Sequence, residues 1–389
     1  MSLYLEVLLQ NKFVLGGSRF SRLVLFCILV RCWRAIVNIR GDNPMYKTAF
    51  LGCGGRARAH ASAYRFVKRG KIAAICDMNE ELLNSFGDDF GVPSRYTDLD
   101  EMLEKEKPDV LHIVTAPVLR GTSERIRYPL MKQASDHGVP AAIVEKPIAV
   151  ESEDWTQIAG LAEETKTKFI VNTQLNFHPQ NLELKADVAA GRIGEIKFID
   201  ASARSTPVDQ APHVLQLVSS YIDNSRPVRV LGQIAGKEQL DSAQPSPMHA
   251  AGHVLYENGL HVSVAFGTGM GTLASDSEST VAHKRVFVVG TKGFVHWRFS
   301  SWERATPEAG YEGGPLNYGE QDIAAQGNLT EAVFDWLDDE NNVHPTHLKQ
   351  SLAEFNLLLG IYYSGITNEI IDLPFEPPDG LMDTLREKL

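Results

Sequence analysis

Cysteine is scarce: four residues in 389, at positions 27, 32, 53 and 76. None has metal-site spacing and the set suggests no disulfide framework, so a reducing, cytoplasmic setting is expected. Long apolar runs are also missing. Leu23–Val30 is apolar but too short to span a bilayer, and Arg31 and Arg34 follow it. Basic charge is in deficit: the net charge is −11, which argues against a nucleic-acid partner. There is no internal repeat and no low-complexity tract. What remains is the composition of an ordinary globular chain, long enough for two domains.

The first 44 residues differ from the rest. They carry six basic and two acidic side chains, so they are positive while the remainder is −15. The order of charge and apolar residues is wrong for a signal peptide. Met45 directly precedes the first strand and is itself a possible start. Residues 1–44 are therefore expected to be an extension outside the fold, with a membrane-associating amphipathic segment as the alternative.

From Met45 to about residue 174, short apolar strands alternate with helices. Strands are expected at Tyr46–Gly52, Lys71–Asp77, Arg95–Tyr96, Val110–Thr115, Ala141–Val144 and Phe169–Thr173. Helices are expected at Arg56–Arg69, Asn79–Phe86, Leu99–Glu106, Glu124–His137 and Glu151–Glu164. This alternation predicts an α/β, doubly wound parallel sheet of Rossmann type over residues 45–174. Over 175–389 the pattern becomes an α+β domain with a large, open, mainly antiparallel sheet. Its turns are read at Glu257–Gly259 and Gly290–Gly293, a loop at Ser301–Gln321, and helices at His178–Ala190, His213–Ile222, Leu329–Asp338 and His347–Tyr363, the last with Thr346 as N-cap.

Candidate chemistry clusters at predicted strand ends. Gly52-Cys53-Gly54-Gly55-Arg56-Ala57 fits G-x-G-x-x-G/A between a strand and a helix. Its glycines permit a tight turn and close approach of a pyrophosphate to a helix N-terminus. Asp77 ends the second strand, where a carboxylate accepts from ribose hydroxyls; alternatively it caps the next helix with Glu80 as partner. Thr115, Pro117 and Glu145-Lys146-Pro147 lie at further carboxyl ends. Lys146 can polarise a substrate oxygen, or be a surface ion-pair residue. Asp209 precedes His213 by four residues: the pair reads as an oriented acid/base, or as a helix cap and an ordinary first-turn residue. His249 and His253 read as strand residues rather than metal ligands, and no metal is expected. His112 reads as an interior histidine.

G-C-G-G-R, the strand-ending Asp77, E-K-P and D-x-x-x-H at Asp209–His213 follow in this order over nearly the whole chain after residue 45. With Asn176-Phe177-His178-Pro179, they resemble the Gfo/Idh/MocA oxidoreductases. That resemblance implies NAD bound by Gly52–Ala57, Asp77, Thr115, Pro117, Glu145 and Lys146, with NADP disfavoured by Asp77-Met78. It implies catalysis by Lys146 and His213, with Asp209 positioning His213, and substrate contacts from Asn176, His178, Lys146 and His213. The implied reaction moves a hydride between nicotinamide and a sugar, cyclitol or other polyol, with the C-terminal sheet making a homo-oligomer (dimer or tetramer). An NAD-dependent glycoside hydrolase of the same fold and a non-catalytic nucleotide sensor are the alternatives. The chain departs from the family pattern at Asn176, Gln216 and Arg127-Tyr128, all on the substrate side.

Overall fold

The computed structural model describes residues 45–267 and 283–389. The expectations for residues 1–44 lie outside that range. The six strands of the first sheet are β1 (Tyr46–Leu51), β2 (Gly70–Cys76), β3 (Ser94–Tyr96), β4 (Val110–Ile113), β5 (Ala141–Glu145) and β6 (Lys168–Asn172). They pair in parallel in the order β3-β2-β1-β4-β5-β6. Both faces are covered by helices, which is why β4 and β5 are buried at every position. The helices are α1 (Gly55–Ser62), α2 (Glu80–Phe90), α3 (Leu99–Glu106), α4 (Arg127–Asp136) and α5 (Ser152–Glu164). The strand order reverses between β1 and β4, so their carboxyl ends open a crevice.

The rest of the chain builds a nine-stranded sheet on α6 (Pro179–Ala189) and α7 (Pro207–Tyr221). Its strands are β7 (Ile196–Ala203), β8 (Pro227–Ala235), β9 (His249–Tyr256), β10 (His261–Gly267), β11 (Lys284–Gly290), β12 (Phe294–Arg298), β13 (Ser301–Thr306), β14 (Gly310–Pro315) and β15 (Ile371–Asp372). The order is β14-β13-β12-β11-β7-β10-β9-β8-β15; only β7 and β10 pair in parallel. The inward phase of the central strands is mainly apolar, as at Val262, Val264 and Phe266 of β10.

Two long helices, α8 (Tyr318–Asp338) and α9 (Leu348–Thr367), tie the sheets together, and α10 (Leu381–Lys388) ends the chain. Leu348, Leu352, Phe355, Leu359 and Tyr362 of α9 are all buried. The segment before α9 bonds to β6, Val171 N–H donating to Thr346 O at 2.9 Å. Arg69 reaches Glu331 (2.9 Å), Asp335 (2.6 Å) and Asp338 (2.8 Å) on α8. Tyr46–Leu389 thus forms one compact unit.

Four expectations are corrected. Ser301–Gln321 is a β13–β14 hairpin followed by the start of α8, not a loop. Its Gly, Pro and Glu content hides an edge ribbon held by backbone pairing to β12. α8 begins eleven residues before the apolar stripe, because Tyr318 stacks on Phe299 with centroids 4.0 Å apart. α7 begins at Pro207, so Asp209 lies within its first turn. The N-cap of α9 is His347, while the Thr346 hydroxyl contacts His344 at 3.2 Å.

Candidate active site

β1 is followed at once by Gly52, whose φ of +98° suits glycine. A Cβ there would lie 2.5 Å from the Val114 carbonyl oxygen at the neighbouring strand end. Gly54 is the N-cap of α1 without a side-chain cap, and a Cβ on Gly54 or Gly55 would meet nothing within 4 Å. The loop therefore presents an open cradle in front of free helix N–H groups, which suits a phosphate. Asp77 braces it: one carboxylate oxygen accepts from Cys53 N–H at 2.7 Å, the other from Asn79 N–H at 2.8 Å. Asn79, not Asp77, caps α2. Cys53 and Cys76 are buried, and burial pushes both thiols up to about 12, so neither is a nucleophile at neutral pH.

Glu145 is the buried end of β5. It accepts from Arg56 Nε (2.9 Å), His60 Nε2 (2.8 Å) and Asn172 Nδ2 (2.6 Å). Burial opposes its charge, but Arg56 and His60 outweigh it and hold the carboxyl well below the usual range. His60 continues to His112 (3.4 Å), whose other nitrogen meets Tyr64 Oη at 2.8 Å, so His112 is a bonded interior histidine. His249 and His253 lie on β9, and among the described residues no three metal-ligating side chains cluster.

Lys146, the next residue, reaches across the crevice. Its ammonium donates to the Asp209 carbonyl at 3.0 Å and is paired with the Asp209 carboxylate. Asp209 also accepts from Ser205 Oγ (3.3 Å) and Gln210 Nε2 (2.7 Å). Burial opposes the Asp209 charge, yet Lys146 holds its pKa down. Asp209 does not pair with His213, contrary to the expectation. One helical turn separates them, and the carboxylate turns to an ammonium rather than to a neutral imidazole. His213 is buried with Nδ1 unpartnered. Burial first, then Lys146, Lys284 and Arg56, keep it neutral far below its ordinary pKa.

Arg56, Thr115, Pro117, Glu145, Lys146 and His213 line one cavity of about 430 Å³, together with Gln174, Gln210, Gln244, Lys284, Tyr318 and Asp322. Four buried polar atoms of its lining have no partner: Thr115 Oγ1, Gln174 Oε1, Gln210 Oε1 and His213 Nδ1. Such atoms are costly unless a ligand satisfies them. Asn176 and His178 do not line this cavity. Lys185 donates to the Asn176 carbonyl at 2.7 Å, and His178 packs edge-on to Trp297. Sequence reading missed Lys284 and Asp322. The available signal for Lys284 was its inward phase with Val286 and Val288; Asp322 falls between the expected loop Ser301–Gln321 and the expected helix Leu329–Asp338, where no element was assigned.

A glycine-looped parallel sheet joined to an open mixed sheet, with basic side chains converging where they meet, defines a two-domain dinucleotide-binding fold. Residues 46–173 match the oxidoreductase family with an NAD-binding Rossmann fold, so this part of the chain is similar to the Gfo/Idh/MocA oxidoreductases. It is similar to a D-apiose dehydrogenase of Paraburkholderia graminis, 31% identical over 150 residues, 38% of each chain. It is also similar to glycosyl hydrolase family 109 protein 2 of Akkermansia muciniphila, 29% identical over 168 residues, 40% of this chain and 33% of that one. The chain thus matches well under half the length of these curated relatives. The fold of an Agrobacterium radiobacter oxidoreductase, solved with NAD⁺, L-tartaric acid and magnesium, superposes with a TM-score of 0.69 at 21% identity over 84% of this chain and 98% of that one. Levoglucosan dehydrogenase in complex with NADH does so with a TM-score of 0.69 at 15% identity, over 85% and 99%.

Proposed function

We propose that the protein is an NAD-dependent oxidoreductase that oxidises a CH–OH group of a sugar, cyclitol or related polyol, or reduces the matching carbonyl. The observation that carries this reading is the set of unpartnered buried polar atoms, His213 Nδ1 among them, on residues that line one cavity with Lys146. A lining that holds both acceptors and donors suits a ligand with several hydroxyls.

The Gly52–Ala57 turn and the α1 N-terminus would hold the pyrophosphate, and Asp77 the adenine-side ribose, favouring NAD over NADP. Bound there, nicotinamide supplies the hydride acceptor. The protein handles the proton. Lys146 donates to the substrate oxygen and stabilises its developing negative charge. Neutral His213 takes the hydroxyl proton, and the cations around it favour its release afterwards. Asp209 holds Lys146 across the crevice.

The outer face of the nine-stranded sheet leaves Leu231 (45%) and Phe198 (38%) exposed, which supports self-association through that sheet. Light scattering on the purified protein tests it: a dimer or tetramer is expected and a monomer refutes it.

Mass spectrometry for co-purified nucleotide, then reduced-nicotinamide absorbance against a polyol panel, tests the activity. His213→Ala should lower kcat by about 10²–10⁴. No nucleotide and no turnover, or full activity in His213→Ala, defeats the reading. The glycosyl hydrolase relative makes one other outcome specific: glycoside cleavage with retained cofactor and no net NADH.

A further inference from the structure

Lys284 occupies the first position of β11, in phase with Val286 and Val288 on the buried side. An apolar residue would suit that phase; a lysine there brings a charge that its surroundings must meet. Its ammonium lies 5.5 Å from the Phe299 ring and 5.4 Å from the Tyr318 ring. These rings flank the ammonium, and the residue lines the same cavity as Lys146 and His213. One lysine comes from each sheet. The same cavity is lined by Gln210, whose Oε1 is buried and unpartnered.

We propose that Lys284 is a substrate-binding, specificity-determining residue that holds a second oxygen of the substrate while Lys146 and His213 hold the reacting one. The substrate class narrows accordingly. It must carry at least two oxygens within one small molecule, and a simple mono-alcohol is excluded. The inference rests on the oxidoreductase reading above.

Burial pushes the Lys284 ammonium down to about 8, with Asp322 opposing and Lys146 assisting the shift. The groups facing it are Asp322 and Tyr318 on α8, Asp209 and His213 on α7, Lys146 after β5, and Arg56 on α1. The charged form is the stronger donor, so kcat/KM should fall as pH rises through about 8.

Three proteins are compared: wild type, Lys284→Met and Lys284→Arg. Each is assayed with the best panel polyol and with its single-deoxy analogues, and NADH affinity is measured by fluorescence titration. Lys284→Met should raise KM at least about tenfold, lose discrimination against one deoxy analogue, and keep NADH affinity. Lys284→Arg should retain that discrimination and lack the fall near pH 8. An unchanged KM and unchanged discrimination in Lys284→Met overturn the inference, as does an equal loss of NADH affinity. Should the wild type oxidise no polyol, the activity reading fails separately. Melting shifts by the same polyols with NADH then decide: a shift lost only in Lys284→Met supports Lys284, and no difference overturns it.

Discussion

Gly52 and Gly54 stand two residues apart in one loop, yet the structure gives them different duties, and substitution separates the two. Gly52→Ala places a Cβ 2.5 Å from the Val114 oxygen and 3.0 Å from its carbon, at a φ of +98°. The left-handed backbone costs about 1–2 kcal/mol for an L-residue. Relief of the clash requires moving the end of β4, whose Val114 N–H donates to Leu51 O at 2.8 Å. Such forced shifts cost about 1–3 kcal/mol, for a total of about 2–5 kcal/mol. Gly54→Ala enters open space at an ordinary φ of −74° and loses only the N-cap preference of glycine, at most about 1 kcal/mol. Its methyl, however, fills the cradle that a pyrophosphate must enter. NADH affinity should fall at least about tenfold. Urea denaturation gives the stabilities and NADH fluorescence titration the affinities. Wild-type NADH affinity in Gly54→Ala would refute the phosphate cradle, and wild-type stability in Gly52→Ala would refute the backbone argument.

Lys146→Met removes the donor to the reacting oxygen and should lower kcat by about 10²–10³; unchanged kcat sinks the assignment. Arg127 is fully buried, donates one bond to the Thr115 carbonyl at 3.2 Å, and leaves Nε and Nη1 unpartnered. Burial lowers its pKa to about 10. Arg127→Met should therefore leave urea stability unchanged or raise it by about 1–4 kcal/mol; a marked loss would show that the guanidinium is better satisfied than its contacts indicate. Glu354 on α9 is buried, and burial raises its carboxyl to about 8 against the Gln350 hydrogen bond. A raised pKa means that stability is full below the unfolded value of about 4.3 and erodes as pH rises towards about 8. Glu354→Gln should gain on wild type in urea midpoint between about pH 5 and about pH 9; a constant difference refutes the burial argument.

The glycine loop, the strand-ending Asp77 and the E-K-P turn were legible because each is local. A tight turn needs glycine, a buried parallel strand needs an apolar run, and both are written in consecutive residues. The hairpin at Ser301–Pro315 was not legible, since backbone pairing to a neighbour holds an edge ribbon whatever its composition. Nor was the early start of α8, set by Tyr318 against Phe299. The site divides in the same way. Residue type and spacing pointed to Lys146, Asp209 and His213, but their pairing depended on which charge each side chain meets across the crevice. Asp209 answers Lys146 instead of His213, while Asn176 and His178 turn away into packing. By itself the sequence determined the order of the strands' chemistry and the place of the nucleotide loop, because these depend on neighbours in the chain. Tertiary structure alone decided which lysines, glutamines and acids share the cavity, because contact and burial join residues that lie more than a hundred positions apart.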